Sequence, residues 1–390
     1  MSATDDSPRI EPDRIEGAPH PRETPRLIGQ GAAERDFLDA FNTDRLHHAW
    51  MITGPRGVGK ATLAWSIARF LLATPSPGSD DGGLFGDAPP APESLDIPAD
   101  HPVARRLLAG SDPGLYLVRR GGAGSTESDR DKAFAEGRFS KDIRIPEIRG
   151  LSRFIHLSAT DGGRRVVIVD AADQMNTQAA NALLKMLEEP PARTTLLLVT
   201  HQPSRLLPTI RSRCRMLRLA PLSPDDMARA LSQAGVDLGE DGDAATLAAL
   251  SGGSVGEAVR LINLGGVEMY RELVAIAGTM PRLDRARALK LAEAAATRGA
   301  EDRFDLLLGL TDLFLARLAR AGALGPPAPE AVPGEADLLA RLSPGPLQGR
   351  AWADCAQEIG ARARHGRAVN LDPASLVLDT VFRIQQTAAG

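Results

Sequence analysis

The sequence predicts a doubly wound α/β domain followed by two all-α parts, and three observations carry that prediction. Short, near-continuous apolar runs of strand length alternate with helix-period patterns up to about residue 219. The first of these runs leads directly into a glycine-rich segment ending in lysine, the pattern of a strand–loop–helix phosphate site. After Ala220 strand-like runs almost vanish, and an Ala/Leu/Arg-rich helical period continues to the end.

Each element follows from local pattern. Ala49-Trp50-Met51-Ile52-Thr53, Leu115-Tyr116-Leu117-Val118, Val166-Val167-Ile168-Val169 and Leu196-Leu197-Leu198-Val199-Thr200 read as strands buried on both faces of a parallel sheet. Ala180, Leu183, Leu184 and Leu187 recur at helical spacing, and Pro190-Pro191 stops that helix. Ser223-Pro224-Asp225-Asp226 is a helix start, with a capping serine, proline in the first turn and acids facing the positive helix end. Ser254-Val255-Gly256-Glu257 is a second capping box, and residues 325–334 (GPPAPEAVPG) form a loop.

Two segments interrupt the α/β part. Residues 75–98 contain ten Pro or Gly among 24, too little apolar surface to offset ordering entropy, so a surface insertion is expected. Residues 121–142 carry nine charged residues among 22 and read as a second solvated loop. Residues 1–20 are expected to be a disordered N-terminal segment. The expected organisation is therefore an α/β domain over 21–220, a small helical domain over 221–266 and a helical domain over 267–390.

Composition narrows the class. The 390 residues carry 46 Lys+Arg and 50 Asp+Glu, a net charge of −4, which opposes a nucleic-acid coat protein held by bulk charge. Aromatics at 4% make base stacking an unpromising main activity. Two distant cysteines, Cys214 and Cys355, exclude a disulfide scaffold and a cysteine zinc site. No run approaches the ~20 apolar residues of a membrane span. Residues 1–24 lack the apolar core of a signal peptide, so the cytoplasm is the expected compartment.

Three constellations carry chemistry. In the first, Gly54, Gly57 and Gly59 let backbone N–H groups turn toward a phosphate, and Lys60 would reach its oxygens. The hydroxyl that should follow the lysine to ligate Mg²⁺ is absent, because Ala61 stands there. Thr62 lies one residue later, about 100° further round a helix, and cannot simply substitute. In the second, the buried run Val166–Val169 ends in Asp170, the Walker B acid, but Ala171 follows where a hydrolysing enzyme needs Glu; Asp173 lies beyond the strand end. The third is Thr209-Ile210-Arg211-Ser212-Arg213-Cys214-Arg215, whose spacing alone leaves a solvated basic face and a functional arginine both open.

Residues 181–191 (NALLKMLEEPP) and 209–214 (TIRSRC), with Leu27-Ile28-Gly29-Gln30 and Leu46-His47-His48-Ala49-Trp50, resemble the AAA+ subunits of bacterial clamp loaders. The likeness is motif-specific over residues 21–262 and architectural beyond. It implies an α/β P-loop AAA+ (RecA-like) domain, a helical lid over 221–266 and a C-terminal all-α collar over 267–390 that holds the oligomer. Within the family the chain is similar to the delta-prime branch. Hydrolysing gamma/tau subunits have Thr, Glu and a sensor-2 Arg where this chain has Ala61, Ala171 and Gly256.

The resemblance further implies that Arg213 is an arginine finger donated in trans, with Ser212 beside it, and that Thr200 holds the sensor-1 position. It implies that Gly54, Gly57, Gly59, Lys60, Thr62, Asp170 and Thr200 form the nucleotide site, whether working or vestigial. Expected partners are the gamma/tau and delta subunits and, through the complex, the sliding clamp and primer-template DNA; no membrane is involved. No cofactor is required, ATP binding is weak or absent, and no metal is expected, since the cysteines of the zinc module found in some relatives are missing. The chain itself is then neither a polymerase nor an active ATPase. The alternative is an ATP-hydrolysing gamma/tau-like subunit or another P-loop ATPase.

Overall fold

The computed structural model describes residues 10–74, 91–156, 163–236, 238, 243–297 and 299–390. The chain divides into two compact units, Met1–Pro221 with Ser232–Gly235, and Leu222–Leu231 with Val236–Gly390.

The first unit is built on a five-stranded parallel sheet in the order β2-β3-β4-β1-β5. Its elements are α1 (Gly31–Asn42), β1 (Ala49–Thr53), α2 (Lys60–Ala73), α3 (Pro102–Ala109), β2 (Leu115–Val118), α4 (Glu127–Ala135), α5 (Ile145–His156), β3 (Arg165–Asp170), α6 (Thr177–Glu188), β4 (Thr194–Thr200), α7 (Pro208–Arg211) and β5 (Arg215–Arg218). The four apolar runs are strands, and β1 and β4 are buried along their whole length, as continuous apolar sequence in a central parallel strand requires. The fifth strand escaped that signal because it is an edge: only Leu217 is buried, and Arg215, Met216 and Arg218 are exposed. In α6, Ala180, Leu183 and Leu187 face the core and Leu184 is half-buried, while Asn176 caps the helix by accepting from the Ala179 N–H at 2.9 Å.

Register brings the strand ends together. Thr53 pairs with Thr200, and Asp170 with Val199. The segment after β1, the acid ending β3 and the hydroxyl ending β4 therefore share one carboxyl edge, where open α/β sheets bind ligands.

Two expectations are corrected. The segment expected to be disordered falls partly outside the described residues (1–9), but its described part is anchored at the buried Glu11 and His20, with Ile10 and Ile15 left exposed. Glu11 and the Asp13 carboxylate are buried because guanidinium groups compensate their negative charge, and His20 is buried against Asp13. Arg22 grips Glu11 in a two-pronged contact at 2.9 and 3.0 Å, and Arg119 reaches Asp13 at 2.6 Å. Composition marks such a stretch as solvated because it cannot show where the opposite charges come from. His20 Nε2 donates to Asp13 at 3.0 Å, while its Nδ1 accepts from the Arg22 N–H at 3.1 Å. The His20 ring meets Trp65 edge-on at 5.9 Å, so this segment covers α2, a helix buried almost all round.

The second correction concerns residues 121–142, which contain α4 rather than a plain loop. Thr126 caps α4 by accepting from the Asp129 N–H at 3.2 Å, and Glu127 and Asp129 sit at its positive end. The surface insertion expected at residues 75–98 is described only in part. Positions 75–90 lie outside the described residues, and 91–98 have no helix or strand, yet Leu95 is buried.

Every described element wholly within the second unit is helical: α9 (Ala244–Ser251), α10 (Val255–Leu264), α11 (Gly266–Gly278), α12 (Arg285–Ala295), α13 (Glu301–Leu324), α14 (Glu335–Leu342), α15 (Pro346–Ala368) and α16 (Pro373–Ala389). A further helix, α8 (Pro224–Gln233), begins as predicted after Ser223, whose hydroxyl accepts from the Asp226 N–H at 3.2 Å. Ser254 caps α10 in the same way, at 3.1 Å from the Glu257 N–H. The long helices α13 and α15 approach closely at Gly322 and Gly349. A Cβ on Gly322 would lie 2.6 Å from the Gly345 carbonyl oxygen and 2.7 Å from the Gly349 Cα. Beside α13, the fully buried Glu335 takes both prongs of Arg317 at 2.6 and 2.8 Å, the Tyr270 hydroxyl at 2.5 Å and the Ala331 N–H at 2.6 Å. Such a charge is tolerable only with every acceptor site filled.

Candidate nucleotide site and exposed arginine

The glycine-rich loop has the predicted strand–loop–helix setting between β1 and α2. Gly54 at φ 143° leaves no room for a side chain, since a Cβ would stand 2.6 Å from the Leu219 carbonyl oxygen. Gly59 at φ 99° opens α2 in a left-handed conformation that favours glycine. The loop is tied down by Gln30, which the motif Leu27-Ile28-Gly29-Gln30 supplies. Its amide donates to the Ala220 carbonyl at 2.7 Å and accepts from the Ala220 N–H at 3.1 Å, and it also reaches the Val58 carbonyl at 3.4 Å.

Lys60 is buried, and its ammonium donates to the Gly54 carbonyl at 2.9 Å and to the Pro55 carbonyl. Desolvation pulls its pKa down to about 8, against the opposing pull of Asp170 and Asp173. Thr62 sits in the first turn of α2 beside Ala61, both half-buried. Asp170 is pushed up to about 7, first by desolvation and then by the Asp13 carboxylate, with Lys60 and Arg119 working the other way. The Thr200 hydroxyl is fully buried and has no partner among the described residues.

The structure brings Gly54, Gly57, Gly59, Lys60, Thr62, Asp170 and Thr200 to one edge of the sheet. It also adds neighbours that sequence reasoning missed. Asp173, just beyond the end of β3, accepts from the His201 N–H at 3.1 Å and so ties the segment after β3 to the end of β4. His201, which showed no pattern in sequence, lies close enough for Lys60 to depress it; desolvation leads that shift, to about 4. Asp13 and Arg119 reach Asp170 electrostatically from sequence positions more than 100 residues apart, which no local motif could signal.

Arg213 and Ser212 stand apart from this edge, at the end of α7. Ser212 Oγ donates to the Thr209 carbonyl at 3.1 Å. Arg213, with 37% of its side chain exposed, donates to the same carbonyl at 3.0 Å and pairs with Glu188 at 3.1 Å. Arg211 is exposed, whereas the Arg215 guanidinium lies over the Trp50 ring at 5.0 Å, so Arg215 is not merely solvated. Cys214 is half-buried against the core and desolvation pushes its thiol up to about 12, which makes it inert. His47 and His48 stack on each other, and His48 reaches the Leu187 carbonyl at 3.2 Å, a structural role.

Residues 101–223 match the family described as DNA polymerase III, delta subunit. The chain is 36% identical over 234 residues to DNA polymerase III subunit delta-prime of Pseudomonas aeruginosa, covering 58% of this chain and 59% of that one. Over these stretches the chain is similar to delta-prime subunits. A second delta-prime subunit, from Bacillus subtilis, is 30% identical over 188 residues, 48% of this chain and 46% of its own length. DNA polymerase III subunit gamma/tau of Mycobacterium bovis is 30% identical over 218 residues, 54% of this chain and 31% of its own length. The matches thus span less than two thirds of the relatives' lengths. No helix among the described residues is long and apolar enough to cross a membrane.

Proposed function

We propose that this chain is a delta-prime-type subunit of the bacterial clamp loader, helping to load the sliding clamp onto primed DNA without hydrolysing ATP itself. The observation that carries the reading is the contrast between its two sites. At the loop, Ala61 and Ala171 remove the metal ligand and the water-orienting carboxylate, and the Lys60 ammonium is bound to the loop's own carbonyls. At the surface, Arg213 keeps a guanidinium that a neighbouring subunit's ATP could use.

In this reading Arg213 is donated in trans to a gamma/tau subunit, Ser212 helps shape the turn that presents it, and no cofactor is required by this chain. The lid over 221–266 and the collar over 267–390 belong to the same proposal, the collar holding the gamma/tau and delta partners together. The clamp and the primer-template DNA are met through the complex, in the cytoplasm. The kinship with delta-prime subunits supports this over the hydrolysing alternative, as do the two alanines. The test is ATP turnover by the purified chain, then by the complex reconstituted with and without it. Stimulated clamp loading together with no turnover by the chain alone is the expected result. Turnover near ~1 s⁻¹ or faster, abolished by Lys60→Ala, would sink the reading.

A further inference from the structure

Glu188 ends α6 and Arg213 follows α7, and the two meet at 3.1 Å between Oε1 and Nη2. The other terminal nitrogen of Arg213 donates to the Thr209 carbonyl at 3.0 Å. Each partner is anchored by the core. Leu187, the residue before Glu188, and Ile210, three residues before Arg213, belong to the same buried apolar cluster. Both backbones are therefore fixed by packing, independently of the ion pair. The acceptors that hold the guanidinium stand on rigid supports, which is what precise positioning needs. One guanidinium N–H is given to the Thr209 carbonyl, and the ion pair with Glu188 holds the other terminal nitrogen in place.

We propose that Glu188 is a positioning residue for Arg213: its carboxylate and the Thr209 carbonyl hold the guanidinium in the orientation in which it meets a neighbouring subunit's phosphate. This rests on the reading of Arg213 as a finger donated in trans. An arginine has a long, freely rotating stem, and orientation is worth as much to a transferred phosphoryl group as charge is. Without the carboxylate, the fork loses one of its two charged or polar anchors among the described residues and samples unproductive orientations.

The experiment is steady-state ATP hydrolysis by the complex reconstituted with gamma/tau and delta subunits, carrying Glu188→Gln, Glu188→Asp, Arg213→Ala or Arg213→Ala with Glu188→Gln. Gel filtration and melting curves establish that each variant folds and assembles. Glu188→Gln should lower kcat at the adjoining site about two- to fivefold, the range over which an exposed ion pair acts, and leave KM unchanged. Glu188→Asp should recover part of the loss, and Glu188→Gln should add nothing once Arg213 is alanine. If Arg213→Ala slows hydrolysis but Glu188→Gln does not, or if Glu188→Gln costs as much without the arginine as with it, the positioning role is overturned while the finger stands. If Arg213→Ala itself changes nothing, the finger reading falls and the positioning role falls with it.

Discussion

The Lys60 ammonium and the Gly54 carbonyl oxygen are 2.9 Å apart, so the lysine that should meet a nucleotide's phosphates is engaged by its own loop. A nucleotide must replace that bond, and the Pro55 contact beside it, without the help of a metal held by the residue after the lysine. Binding of ATP to the isolated chain is therefore expected to be weak and insensitive to Mg²⁺. Calorimetric titration with and without Mg²⁺ checks this; tight, Mg²⁺-dependent binding would contradict it.

Asp170 yields a prediction with a definite sign. Its folded pKa lies near 7 against an ordinary value of 3.8, so the fold favours the protonated acid. That preference is fully present below about pH 4 and is lost as pH rises through 7. Asp170→Asn should therefore match the unmodified protein in stability at acid pH and exceed it increasingly between about pH 4 and 7, with a constant gap above. Denaturant midpoints across that range measure it, and a gap that does not change with pH would refute the assignment.

In the helical unit the buried Glu335 behaves in the opposite way. Burial alone raises its pKa, but hydrogen bonds from Arg317, Tyr270 and the Ala331 N–H outweigh that and hold it below the ordinary 4.5. Its contribution is present above pH 4.5 and disappears as pH falls through the lowered value. Glu335→Gln should destabilise this unit by about 3–5 kcal/mol at neutral pH, because Arg317 is left largely buried with half its partnership gone. A loss below about 1 kcal/mol would place the pair among ordinary surface bridges.

Gly322 tests the approach of α13 to α15. Because its added Cβ would press on the backbone of residues 345 and 349, neither of which can rotate away, Gly322→Ala should cost about 1–3 kcal/mol. An exposed helix position would instead gain from the better helix former. A rise in melting temperature would show that the helices part freely there.

The central sheet and the loop were readable because continuous apolar runs and glycine spacing are local signals. Val166–Val169 ending in Asp170 named both a strand and its functional tip, and the structure sets that tip beside Thr200 through register. The caps at Ser223 and Ser254 were equally local. What escaped was long-range charge compensation. Glu11 and Asp13 look like tail residues until Arg22 and Arg119 are brought to them, and α4 looks like loop because it buries little beyond Ala133. Arg213 was named by resemblance, but its partner Glu188 sits 25 positions away in a different motif and only the fold joins them.

The account stands most directly on Arg213. Its polar contacts are one main-chain carbonyl, that of Thr209, and the partly exposed Glu188 carboxylate, so replacing it should leave the fold intact. In the reconstituted complex, Arg213→Ala should assemble normally and slow ATP hydrolysis at the adjoining gamma/tau site by roughly 10³-fold or more, the worth of a finger arginine. Arg213→Lys should recover little, since a point charge lacks the two-pronged geometry. The exposed Arg211 is the proper control, because Arg215 also packs on Trp50; Arg211→Ala should cost little at moderate salt. Single-turnover hydrolysis at that site is the measurement: a large loss confined to the Arg213 variants is what the account predicts, and an unchanged rate in Arg213→Ala would contradict it.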